Sequence, residues 1–129
     1  MTNQNSKIRT EKRIIGDKGE DEAVKYLIQK GYEIVKRNYG CKFGEIDIVA
    51  RQNETIVFVE VKTRRNGFFG EPQEFVDYKK LERINMAMDC FLSSYHISDD
   101  YNLRIDVVEI GFDSYDGNYT INHIEDFCN

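Results

Sequence analysis

The chain has 129 residues, 40% of them apolar and 32% charged, the size and composition of an ordinary globular domain. Its longest uninterrupted apolar run, Ile56 to Val59, is far too short to cross a bilayer, and the first ten residues lack the apolar core of a secretory signal. The net charge of −5 is uneven: residues 1–65 hold 14 Lys and Arg against 10 Asp and Glu, and residues 66–129 hold 4 against 13. A basic half can face a polyanion while an acidic half keeps the protein dispersed, so charge does not exclude nucleic acid as a partner.

Residues 1–12, with Lys7, Arg9 and Lys12, read as a flexible basic tail, and residues 13–129 as one domain. From Asp17 to Lys30, Ala23, Val24, Leu27 and Ile28 recur at helical spacing, and Gly31 is a natural residue for the position after a helix. Tyr32 to Tyr39 reads as a first strand. Glu45 to Ala50 and Thr55 to Arg64 alternate and are β-branched, and the polar stretch 51–54 between them predicts a hairpin. A glycine-containing loop follows over 64–71. Pro72 suits the first turn of a second helix, whose apolar face carries Phe75, Leu81, Ile84, Met88, Phe91 and Leu92. Leu103 to Phe112 and Tyr119 to Ile124 read as a fourth strand and a short edge strand. The order is α-β-β-β-α-β-β, an α/β fold with a central mixed sheet flanked by helices.

The hairpin carries the chemistry. Alternation puts Phe58, Glu60 and Lys62 on one face of their strand. A turn over 51–54 would set residue 50 opposite 55 and 47 opposite 58, leaving Asp47 diagonal to Glu60 at about 7–8 Å, on the same face. One divalent cation fits between two such carboxylates, since Mg²⁺ takes one or two of them plus waters. A lysine beside them can orient or deprotonate an attacking water and steady charge on phosphorus. Glu20 is in phase with Ala23, Val24 and Leu27, so it points at the sheet, where an unpaired carboxylate is costly. A solvated strand face with an ordinary Glu/Lys pair is the competing explanation. Against it stand an Asp in mid-strand between Ile46 and Ile48, and the clustering of Glu45, Asp47 and Glu60.

These residues carry a resemblance. GEIDIVA (44–50) followed by VFVEVKTR (57–64) resembles the core of the PD-(D/E)xK nuclease superfamily, and more narrowly the YraN-like family, which is similar to archaeal Holliday-junction resolvases. GDKGEDEAVKYLIQKGY (16–32), EPQEFVDYKKLERI (71–84) and RIDVVEI (104–110) extend it from about residue 16 to the end of the chain. The superfamily's Pro before the Asp is absent; Ile46 stands there. The resemblance implies a restriction-endonuclease-like fold and a metal-dependent endonuclease acting on branched or structured DNA, with Mg²⁺ or Mn²⁺ as cofactor. It implies Asp47, Glu60 and the main-chain carbonyl of Val61 as metal ligands, Lys62 as catalytic lysine, and Glu20 as the acid of the first helix. A protein that keeps the fold and binds nucleic acid without cutting is the alternative.

Weaker candidates surround this set. Arg64, Arg65, Phe68 and Phe69 combine charge and aromatic faces suited to phosphates and unstacked bases. Lys79, Lys80 and Arg83 on the second helix could reach a backbone phosphate. Asp106 suits a core network, and His96 and His123 have no evident partner. Cys41, Cys90 and Cys128 form no CxxC pair and read as reduced thiols of a cytoplasmic protein, with too few ligands near His123 and Cys128 for zinc. Cutting both strands of a junction would favour a homodimer, and no membrane association is expected.

Overall fold

The computed structural model describes residues 4–65, 78–113 and 118–127, with side chains from Gly16 onward apart from that of Arg65. Its elements run α1 (Gln4–Gln29), β1 (Glu33–Cys41), β2 (Gly44–Gln52), β3 (Thr55–Arg65), α2 (Tyr78–Ser94), β4 (Asn102–Phe112) and β5 (Tyr119–Ile124). The sheet order is β1-β2-β3-β4-β5, antiparallel throughout except for the parallel β3–β4 pair that α2 connects. This mixed α/β arrangement has the predicted order and is that of the restriction-endonuclease-like fold.

The two sheet faces are buried separately. Ala23 and Leu27 of α1 pack on Ile48, Ala50, Val57, Val59, Val108 and Ile110. Ile84, Ala87, Met88 and Phe91 of α2 pack on Ile46, Val49, Ile56 and Phe58. Phe91 meets Phe58 edge-on at 5.8 Å between ring centres and stacks on Tyr95 at 4.3 Å. Each such fully buried apolar side chain contributes about 1.5–3 kcal/mol over exposure, enough to fix the helices to their faces.

Two helix boundaries show opposite outcomes. At the C-terminus of α1 the amide of Tyr32 donates to the Leu27 carbonyl at 2.9 Å and that of Gly31 to the Ile28 carbonyl at 3.0 Å, with Gly31 at φ 92°. This is a Schellman cap, and its left-handed residue is the predicted glycine. At the other end the backbone is helical from Gln4, so most of the expected tail over 1–12 continues α1. Lys7, Arg9, Glu11, Lys12 and Arg13 all tolerate helix at little cost, and no Gly or Pro stops the helix before Gly16. The expected helix start at Pro72, with Phe75, lies outside the described residues. Cys41 and Cys90 are free thiols, and Cys128 lies outside the described residues.

The hairpin register differs from the expected one. Gln52 pairs with Thr55 and Ala50 with Val57, because the turn is only Asn53-Glu54, with Asn53 at φ 55°. Asn tolerates that left-handed backbone, and a two-residue turn needs it. The strands therefore slide by two residues, which preserves every side chain's face. Continued beyond its last pair, the register sets Asp47 opposite Glu60 itself and no longer opposite Phe58.

Candidate functional site

The β2–β3 ladder stops at Ile48↔Val59, although β2 runs back to Gly44 and β3 on to Arg65. In that gap Asp47 turns its Oδ2 to accept a hydrogen bond from the Val61 amide at 2.8 Å, replacing the ladder bond that the amide lacks. A cleft of about 490 Å³ opens beside it, lined by Gly44, Glu45, Asp47 and Glu60 and by Lys79, Lys80, Arg83 and Ile84 of α2. The sheet thus supplies three carboxylates and the helix three cations to one concavity.

The acids repel one another. Burial and then the charges of Glu60, Glu20 and Glu45 push the Asp47 carboxyl up to about 7, against the pull of the Val61 amide. Glu20 is 7% exposed; burial raises its carboxyl too, opposed by Arg37, whose Nε donates to Glu20 Oε1 at 3.1 Å while its second nitrogen holds Asp21 Oδ1 at 2.7 Å. Helix α1 comes this close because residue 19 is glycine: a Cβ there would overlap Thr63 Oγ1. Glu60, 9% exposed, receives two ammonium groups on one oxygen, Lys80 at 2.5 Å and Lys62 at 3.4 Å. Burial and the neighbouring Lys80 hold the Lys62 amine below its ordinary range.

Of the sequence-predicted residues, Asp47, Glu60, Lys79, Lys80 and Arg83 line the cleft. Lys62 reaches Glu60 from its flank, and Glu20 influences Asp47 through its charge, without either lining the cleft. Val61 contributes its amide to Asp47. Arg64 is half-buried, two positions beyond Lys62 on the same strand. The side chain of Arg65 and all of Phe68 and Phe69 lie outside the described residues. Among the described residues no group of three or more His, Cys, Asp or Glu side chains is placed to hold a metal ion. A two-carboxylate site for a hydrated Mg²⁺ needs no such group, and two repelling acids in an open cleft are donors suited to it.

Three features escaped sequence reasoning. Arg37 reaches Glu20 from β1, a pairing set by its place beside Ile48. Glu109 stands beside Lys62 in the β3–β4 register, is wholly buried, and has Oε1 bonded to Asn122 at 2.9 Å while Oε2 has no hydrogen-bond partner among the described residues. A charged residue inside the apolar run VVEI was its signal. His123, expected to lack a partner, bridges Asp106 at 2.7 Å and the Tyr26 hydroxyl at 2.9 Å. Asp106 also takes both Arg104 contacts, at 2.8 and 2.9 Å, on the α1 side of the sheet. It belongs to a core network, as predicted.

The uncharacterised protein family UPF0102 matches residues 19–110, from Gly19 on α1 to Ile110 on β4. The chain belongs to the UPF0102 family. A UPF0102 protein of Alkaliphilus oremlandii is 51% identical over 112 residues, 86% of this chain and 94% of the relative. One of Caldicellulosiruptor bescii is 48% identical over 113 residues, covering 87% and 94%, and one of Clostridium botulinum 37% over 111 residues, covering 86% and 90%. The UPF0102 span contains Glu20, Arg37, Asp47, Glu60, Lys62, Lys80 and Glu109, and the names of its members assign no activity.

Proposed function

We propose that this UPF0102 protein is a Mg²⁺- or Mn²⁺-dependent nuclease that hydrolyses phosphodiester bonds, a DNA endonuclease acting on branched or structured DNA. The observation that carries the reading is the pairing, in one cleft, of mutually repelling Asp47 and Glu60 with a wall of Lys79, Lys80 and Arg83. A cleft meant only for a polyanion gains nothing from carboxylates at its floor, whereas a divalent cation there reverses their effect. Asp47 and Glu60 would hold the ion, with the Val61 carbonyl and Glu20 as further groups at the splayed end of the strands. The ion would supply an acidified water and polarise the phosphoryl oxygen. Lys62, its amine biased towards the neutral form, orients the attacking water and takes its proton. Lys79, Arg64 and Arg83 hold substrate phosphates, in the role also proposed for Arg65, and Phe68 stacks on an unstacked base. The protein acts in the cytoplasm, a reading that rests on its odd, scattered set of three cysteines; among the described residues no helix is long and apolar enough to cross a membrane. Cutting paired strands of a junction calls for a homodimer.

A second reading, a nucleic-acid-binding protein that does not cut, is favoured by the two lysines occupying Glu60 and by the lack, among the described residues, of a third acid placed for a metal. A panel of four-way junctions, flaps, single strands and linear duplexes, incubated with Mg²⁺, Mn²⁺ or chelator, separates the two. Metal-dependent cleavage abolished by Glu60→Gln supports the enzyme. Binding without cleavage in every metal supports the alternative.

A further inference from the structure

Lys80 does something that no other described cation does. Its Nζ lies 2.5 Å from Glu60 Oε1, on the cleft side of the carboxylate, and Asp47 is near enough for its charge to raise the Lys80 amine. Lys62 shares that oxygen from 3.4 Å, so two ammonium groups crowd one carboxylate and oppose one another. Lys79, the neighbour on the same cleft wall, makes no such contact; it is exposed. A cation bound through Glu60 would have to take the place that Lys80 holds.

We propose that Lys80 is the internal counter-ion of the Asp47–Glu60 pair, and that a divalent cation displaces it and turns it into a ligand for substrate phosphate. The proposal rests on the metal-site reading above. The protein without metal keeps its acids partly compensated, which limits the cost of holding them together. Entry of the ion and release of Lys80 are then one linked event, and linkage runs both ways: whatever weakens the Lys80–Glu60 pair strengthens metal binding. Once released, the ammonium remains on a wall already carrying Lys79 and Arg83, where the matching anion is a phosphate oxygen. The phosphate-binding surface is thereby completed only when the ion is in place.

Two measurements without catalysis test this. Mn²⁺ affinity, read by electron paramagnetic resonance of the free ion, is compared in the parent, Lys80→Met and Lys79→Met. Removing a partly buried ion-pair competitor should tighten Mn²⁺ binding roughly five- to tenfold in Lys80→Met, with a much smaller change in Lys79→Met. Unchanged or weaker binding in Lys80→Met overturns the exchange. The second measurement needs no metal: melting curves of the parent, Lys80→Met, Glu60→Gln and the double variant form a cycle. Lys80→Met should lower the melting temperature of the parent and lower it clearly less in the Glu60→Gln background. Equal losses in both backgrounds overturn the counter-ion. A parent that takes up no Mn²⁺ at millimolar concentration sinks the metal-site reading and the exchange with it, while the metal-free cycle still judges the counter-ion by itself.

Discussion

Asp47→Asn separates a metal site from a charged strand face, because it changes stability and metal response in opposite senses. A carboxyl held at about 7 in place of its ordinary 3.8 represents at most ~4 kcal/mol, at about 1.4 kcal/mol per unit. Water in the open cleft and the ammonium of Lys80 screen much of this, leaving about 1–2 kcal/mol as the working value. The sign follows from proton binding. With its carboxyl raised, the folded protein holds a proton that the unfolded chain gives up between about pH 4 and 7, so stability falls as pH rises through that window. Asn keeps the shape, accepts the Val61 amide through Oδ1, and removes the charge. Metal-free Asp47→Asn should therefore melt about 3–8 °C above the parent at pH 8, and no higher than the parent below pH 4. Saturating Mg²⁺ should raise the parent's melting temperature and raise the variant's less, since only a native state that binds the ion is stabilised. Melting curves from pH 4 to 8.5, with Mg²⁺ and with chelator, carry the whole test. A variant less stable than the parent at pH 8, with an unchanged response to Mg²⁺, would refute the reasoning.

Arg104→Ala strips the buried Asp106 of its bidentate partner and should cost about 3–5 kcal/mol by denaturant unfolding. Burial pushes the Asp106 carboxyl up, but the bonds from His123, Arg104 and the Asp126 amide outweigh it and hold it low, so the stability it supplies is present above about pH 4 and is lost as pH falls further. Gly19→Ala forces a Cβ onto Thr63 Oγ1 and should destabilise by about 1–3 kcal/mol, with Thr63→Ala in the same chain recovering part of the loss in a thermal melt. Glu109→Met removes a carboxylate oxygen that has no partner among the described residues and leaves only the exposed Asn122 to water, so urea unfolding should show equal or greater stability; a loss above about 1 kcal/mol would mean that the oxygen is satisfied.

The parts legible in the sequence are those fixed by local chemistry. Strand alternation located β2 to β5 to within a residue or two, because β2, β3 and β4 each bury a face that must be apolar, and Ile121 of β5 packs partly buried against the α1 core. Gly31 marked the end of α1, since only a residue at ease with positive φ closes that cap. The start of α1 was missed because charged, helix-tolerant residues look the same in a tail as in a helix. The hairpin register was missed because Asn53-Glu54 does not announce a two-residue turn as Asn-Gly would. Asp47 and Glu60 were nevertheless placed on one face, for a slip of two residues conserves the face where a slip of one would have reversed it. Lys79, Lys80 and Arg83 were named together, because nothing local in the sequence fixes which of two adjacent lysines turns to the sheet. Arg37 and Glu109 depend on cross-strand neighbours, which no local pattern encodes.

The location of the acids follows from where the sheet ceases to be one. A paired strand spends its amides and carbonyls on its neighbours and holds its side chains perpendicular to the sheet, so a carboxylate in mid-ladder can meet only what lies above or below it. Beyond Ile48 and Val59 the pairing between β2 and β3 ends, and the Val61 amide is left for a side chain. Asp47 takes it, and the charges of Glu60 and Glu20 act on the same carboxyl. The same splay lets α1 approach at Gly19 and α2 lay Lys80 against Glu60. Re-pairing the strands through this gap would satisfy the Val61 amide by backbone alone and leave Asp47 without that bond. The broken ladder therefore frees the Val61 amide for Asp47, whose carboxyl then feels acids from a helix and two strands, and the cleft beside it lies between these strand residues and α2.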